Sequence, residues 1–139
     1  MKLPYHFYAE TAHKADQETW QTKIRNHNLH VGVPKEFGGT TNDLSPEDLF
    51  LAAVTNCFIA TFKVICEKNE YDYSQIKIDS ELVVDKNERK RLSFTKVNLD
   101  IYIKNADESR LEKIIKLTKN NCLVHNSIKT EIDVNIYKN

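Results

Sequence analysis

Between Leu49 and Phe62 run 14 consecutive residues without a charge, LFLAAVTNCFIATF, most of them apolar. The run is entered through Ser45, Pro46, Glu47 and Asp48. Serine is a good N-cap, proline suits the first helical position, and the two carboxylates sit at the end the helix dipole favours. The pattern predicts one helix from Pro46 to about Lys68. Apolar side chains fall on nearly every face of its middle, and such a helix has to be enclosed by protein. The expectation is a central helix with a sheet on one side and another helix or a second subunit on the other. At 14 residues the uncharged run itself is too short to cross a bilayer.

Around this helix the chain reads as short strands and one more helix. Pro4 to Ala9 and Glu18 to Arg25 carry aromatic and β-branched residues, and Leu29 to Val33 alternates around His30 and Gly32. Pro34 to Leu44 is a loop with a Gly-Gly turn. Ile76, Ile78, Leu82 and Val84 share one alternating phase, a half-buried strand, and Val97, Leu99, Ile101 and Ile103 form its return. Asp85 to Arg91, DKNERKR, is a solvated hairpin tip. Phe94 is out of phase, which predicts a bulge near Thr95. Asp107 to about Ser127 is a second helix with Leu111, Ile114, Ile115, Thr118 and Cys122 on one face, and Ile132, Val134 and Ile136 mark a last strand. This order is an α+β domain.

Composition narrows the function. A length of 139 residues fits one domain, 1–139. Twenty lysines and arginines balance 20 aspartates and glutamates, which removes the electrostatic case for nucleic acid or an anionic membrane as partner. The opening MKLPYHFYAET has no apolar signal-peptide core, so a soluble cytoplasmic protein is expected. The only glycines, Gly32, Gly38 and Gly39, build no phosphate loop or dinucleotide fingerprint, and no cofactor is expected.

The chemistry rests on Cys57, Cys66 and Cys122, an odd number at long spacing that argues against a disulfide framework or a zinc ribbon. Cys57 and Cys66, nine residues apart, are separated by about 900° of helical rotation and lie on opposite faces. Cys57 shares a stripe with Phe50, Ala53, Val54, Thr61 and Val64. If the two helices pack together, Cys57 and Cys122 meet and Cys66 does not. Each cysteine alone also reads as a small buried hydrophobe. Cys122 and His125, three apart, suit a metal alongside Cys57, but no fourth ligand is evident and no metal site is expected.

The segment PKEFGGTTNDLSPEDLFLAAVTNCF (Pro34 to Phe58), followed by NCLVHNSI (Asn121 to Ile128), resembles the OsmC/Ohr superfamily of thiol-dependent hydroperoxidases. The Gly-Gly loop, the Ser-Pro-Glu helix start at a fixed distance from Cys57, the second cysteine and the element order all match. The resemblance implies an OsmC-like fold: N-terminal strands, long central helix, β-hairpin, second helix and C-terminal strand, in an intertwined homodimer with its active sites at the interface. It implies reduction of organic hydroperoxides or hydrogen peroxide in hydroperoxide detoxification and the oxidative stress response. Cys57 would be the peroxidatic thiol, passing through a sulfenic acid, and Cys122 the resolving one. A dithiol such as a lipoyl group would reduce the disulfide. Phe37, Phe50 and Phe58 are candidate walls of an apolar peroxide pocket, or plain core.

Glu47 matches the family's helix-start glutamate, which helps organise an active-site arginine. Ten residues of helix put Glu47 about 15 Å along the axis from its own Cys57, so it acts through another side chain or serves a second subunit; it also reads as a helix-capping carboxylate. Where relatives carry the arginine, this chain has Lys35 after the loop proline and Glu18 or Gln21 on the strand. Arg25 and Lys35 are the candidate cations, though lysine lacks the bidentate geometry. Leu123 stands where the family commonly has proline after the second cysteine. His125 takes a place usually small and polar, as a proton-transfer aid to Cys122 or a surface or interface residue. These departures leave a second reading: a sensor or binding dimer for a small apolar or thiol-reactive ligand.

Overall fold

A computed structural model describes residues 1–138 as two compact units, Met1–Leu49 and the chain from Phe50 onward. The first unit holds an antiparallel sheet of three short strands, β1 (Glu10–Ala12), β2 (Thr19–Ile24) and β3 (His27–Gly32), in that spatial order. Ile24 pairs with His27, so Arg25 and Asn26 form the connecting turn, and Arg25 takes a left-handed φ of 54°. The loop after β3 contains a 3-10 turn at Lys35–Phe37, closed by Gly38 at φ 90°, where a glycine costs nothing. Pro4 to Ala9 is not a strand: Tyr5, Phe7 and Tyr8 are exposed and only β1 finds a sheet neighbour.

Helix α1 (Pro46–Lys68) starts where the sequence places it. Asp48 N–H donates to Ser45 Oγ at 3.1 Å, and both the N–H and the hydroxyl of Ser45 donate to the Asp48 carboxylate at 2.9 Å. This reciprocal box satisfies helix-end groups that would otherwise be unpaired.

The second unit packs α1 and α2 (Glu108–Asn121) with a three-stranded sheet, β4 (Gln75–Lys86), β5 (Leu92–Lys104) and β6 (Glu131–Lys138). β4 and β5 are an antiparallel hairpin, whereas β6 returns parallel to β5. A parallel return needs a crossover, and α2 with the short α3 (Leu123–Asn126) supplies it. Val83 faces Lys96 and Val84 faces Phe94, which leaves Thr95 as the extra residue of the expected bulge. Val97, Leu99, Ile101 and Ile103 of β5 point into the core. They join Val54, Phe58, Phe62 and Cys66, a stripe of α1 repeating every fourth residue, and Leu111, Ile114, Ile115 and Thr118 of α2. Alternate residues carry the polar outer face, where Lys96 pairs with Asp133 at 2.6 Å.

One further expectation needs correction. The second helix does not run unbroken from Asp107 to Ser127. Asp107 is its N-cap, accepting from the Ser109 N–H at 2.9 Å, and the helix stops at Asn121 because Cys122 is extended (φ −71°, ψ 111°). At the break the Asn126 side chain donates to Asn120 O at 3.1 Å, a carbonyl that a continuous helix would pair with the Val124 N–H. The middle of α1, apolar on nearly every face, is covered by the chain along one stripe, as expected for the sheet side, while Ala52, Ala53, Ala60 and Val64 are exposed. By length and composition α1 passes as a membrane span, more than its 14 uncharged residues suggest, but its inner stripe belongs to the core built with the sheet.

Candidate functional site

Cys57 lies beside the buried stripe of α1, one position before Phe58, and is half-buried. Cys122 sits at the α2–α3 break and is completely buried. The break turns the chain so that its next residues face α1. Cys122 Sγ donates to the Cys57 carbonyl at 3.8 Å, and the Val124 N–H donates to Cys57 Sγ at 3.4 Å. His125 Nε2 lies 3.0 Å from Val54 O. A carbonyl only accepts, so Nε2 carries the proton and the tautomer is set. The imidazole also lies near Phe58, ring centroids 6.1 Å apart. Cys66, in contrast, is buried a further two turns along α1, where the Tyr71 N–H donates to its carbonyl at 2.9 Å.

Burial sets the protonation of this cluster. It pushes the Cys122 thiol up to about 11; the Thr61 hydroxyl opposes this and the neighbouring Cys57 sulfur adds to it. Burial likewise pushes Cys66 up to about 11, with Glu67 adding to the effect. His125 is held below its ordinary 6.5 by burial, with the Val54 carbonyl working against that shift and Lys119 with it. Near neutral pH the cluster therefore contains a protonated Cys122 thiol, a neutral imidazole and the half-buried Cys57. A backbone N–H aimed at a sulfur is a partner for the charge a thiolate carries.

The remaining candidates fall in different surroundings. Phe50, half-buried, packs against Phe94 with the rings tilted by 48° and their centroids 4.6 Å apart, whereas Phe58 is fully buried and serves as core rather than as an open wall. In the first unit Arg25 is exposed at the β2–β3 turn, Lys35 is exposed in the 3-10 turn, and Phe37 is 46% exposed beside a shallow groove shared with Glu18 and the Gly38–Thr41 loop. The Glu18 carboxylate there accepts from the Thr40 hydroxyl. Glu47 Oε2 is buried with no hydrogen-bond partner among the described residues. Among those residues no group of three or more His, Cys, Asp or Glu side chains is arranged to hold a metal.

Residues 38–137 match the family model for OsmC-like proteins. The chain belongs to the OsmC-like protein family. Over 102 residues it is 31% identical to an uncharacterised protein of Methanocaldococcus jannaschii, covering 71% of this chain and 52% of that one. The chain thus spans about half the length of that relative. In structure it is similar to an OsmC-like protein of unknown function from Vibrio cholerae, with a TM-score of 0.86 at 19% identity over 96% of this chain and all of that one. An organic hydroperoxide resistance protein from Elizabethkingia anophelis superposes with a TM-score of 0.83 at 19% identity over the whole of both chains. The α+β arrangement of this OsmC-like protein is the fold of those structures.

Sequence reasoning brings Cys57 and Cys122 together but misses two contributors. Thr61, one turn beyond Cys57, was noted only as part of a stripe. The Val124 N–H faces Cys57 because of a helix break that no proline announces. Leu123 is the first residue of α3, a helical position that also accommodates proline. His125, read as a proton-transfer aid or a surface or interface residue, is half-buried and bonded to α1.

Proposed function

We propose that this OsmC-like protein is a thiol-dependent peroxidase acting on organic hydroperoxides or hydrogen peroxide. The observation that carries the reading is the contact of Cys57 with the Cys122–Val124 segment: a half-buried thiol that accepts a backbone N–H, beside a buried thiol that keeps its proton. In the proposed cycle the Cys57 thiolate attacks the O–O bond, taking one oxygen as sulfenic acid and releasing an alcohol, or water from hydrogen peroxide. The Cys122 thiol then condenses with the sulfenic acid, forming a disulfide and water. A dithiol, lipoyl or other, returns both cysteines to thiols and is itself oxidised to its disulfide. No cofactor enters these steps. The name of the Elizabethkingia relative agrees with a hydroperoxide substrate.

The working unit in this proposal is a cytoplasmic homodimer of one OsmC-like domain per chain. Two observations favour the dimer: the uncovered apolar face of α1, and Glu47 Oε2, buried without a partner among the described residues. A carboxylate oxygen so placed calls for a donor, which a cation such as Arg25 or Lys35 of a second copy would supply. Phe50, half-buried against Phe94, is then the aromatic residue left to meet an apolar substrate.

The deciding experiment follows peroxide loss by the reduced protein with cumene hydroperoxide or hydrogen peroxide, using dihydrolipoamide or dithiothreitol as reductant. Rapid turnover is expected, abolished in Cys57→Ser, with a Cys57–Cys122 disulfide in the intact mass and none in Cys122→Ser. A rate no faster than free thiol overturns the peroxidase and leaves a binding or sensing dimer to be tested.

A further inference from the structure

Three hydrogen bonds hold the segment after Cys122 against α1, and two of them involve sulfur. Cys122 Sγ reaches Cys57 O at 3.8 Å and Cys57 Sγ receives the Val124 N–H at 3.4 Å, both long and weak. The third joins only nitrogen and oxygen: His125 Nε2–H to Val54 O at 3.0 Å. Val54 lies three residues before Cys57 on the same helix, and His125 three residues after Cys122, so this bond closes a short ring around the two thiols. Burial of the imidazole and its packing near Phe58 leave it little freedom to turn away.

We infer that His125 is a positioning residue, a clamp whose Nε2–H bond to the Val54 carbonyl sets Cys122 and the Val124 N–H against Cys57. The inference deepens the peroxidase reading and rests on its pairing of Cys57 with Cys122. A disulfide between segments already held together costs less ordering than one between segments free to part. The clamp therefore favours the disulfide whatever oxidant makes it.

The test is the equilibrium between the reduced protein plus oxidised dithiothreitol and the Cys57–Cys122 disulfide plus dithiothreitol, read by intact mass. Each turn of that exchange moves two electrons and two protons from the protein thiols to the reagent. His125→Phe keeps a ring against Phe58 and removes the donor; His125→Gln restores an N–H that reaches Val54 O. The disulfide equilibrium constant is expected to fall about fivefold in His125→Phe, the equivalent of one ordinary hydrogen bond, and to return towards the starting value in His125→Gln. An unchanged constant in His125→Phe, or a loss in His125→Gln as large as in His125→Phe, overturns the clamp. If the Phe variant lacks the near-ultraviolet circular dichroism of the folded protein, His125→Ala measured in the same way decides. The two readings fail separately. A wild type that forms the disulfide without consuming peroxide refutes the peroxidase alone, and active wild type beside an indifferent His125→Phe refutes the clamp alone.

Discussion

Cys57, Cys66 and Cys122 occupy one chain but not one chemical environment. Burial holds both Cys66 and Cys122 as thiols, pushed up to about 11 from 9.0, whereas Cys57 is half-exposed at its bond to the Val124 N–H. Iodoacetamide at about pH 8 should alkylate Cys57 first, with Cys66 and Cys122 following only on unfolding or as the pH nears their raised values. Peptide mass spectrometry reads the order, and equal labelling of all three refutes it. The same shifts act on stability. A thiol that ionises at 9.0 when unfolded and about 11 when folded supports the fold below 9.0, and that support is lost as the pH rises through about 11. The urea midpoint should therefore be lower at about pH 10 than at about pH 8. His125 has the opposite sense: its folded value lies below 6.5, so its contribution is present above 6.5 and is lost as the pH falls. His125→Gln should flatten that acid limb relative to wild type, and an identical acid limb in both proteins would refute it.

Among the elements, α1 carries the most weight because it combines a capped start, a core stripe and Cys57. Ser45→Ala opens the capping box and should cost about 1 kcal/mol. Phe62→Ala, emptying a fully buried site in contact with Tyr73, should cost about 3–5 kcal/mol. Chemical denaturation measures both, and a Phe62→Ala loss no greater than that of Ser45→Ala would contradict the packing. The α2–α3 break is the second decisive element. In a continuous helix the Leu123 and Val124 N–H groups would be spent on α2 carbonyls. The extended Cys122 frees them, and one turns to Cys57.

At the scale of the molecule, the first 49 residues do not make a core of their own. Only Val31, Gly32 and Ser45 are buried among them, while Met1, Leu3, Phe7 and Tyr8 are each more than 60% exposed. So short a unit rarely supports itself without further burial. Together with the open face of α1, this predicts a dimer: sedimentation at micromolar concentration should show twice the 16.2 kDa chain mass. A species of 16.2 kDa would refute it.

Local signals determined a good deal of this protein. Ser45-Pro46-Glu47-Asp48 announced α1, and strict alternation announced β4, β5 and β6 and even the bulge at Thr95, because capping and period-two patterning are read within a few residues. The Gly-Gly loop, the helix start and the cysteine spacing pointed to the family. What only the tertiary structure decided depends on partners distant in the chain. Pro4 to Ala9 has strand composition but no neighbour to pair with, and Phe58 became core instead of pocket wall because α1 turns it inward. His125 gained its role from Val54, 71 residues away. Cys122 met Cys57 through a helix break at an extended Cys122, which leaves no periodicity to read.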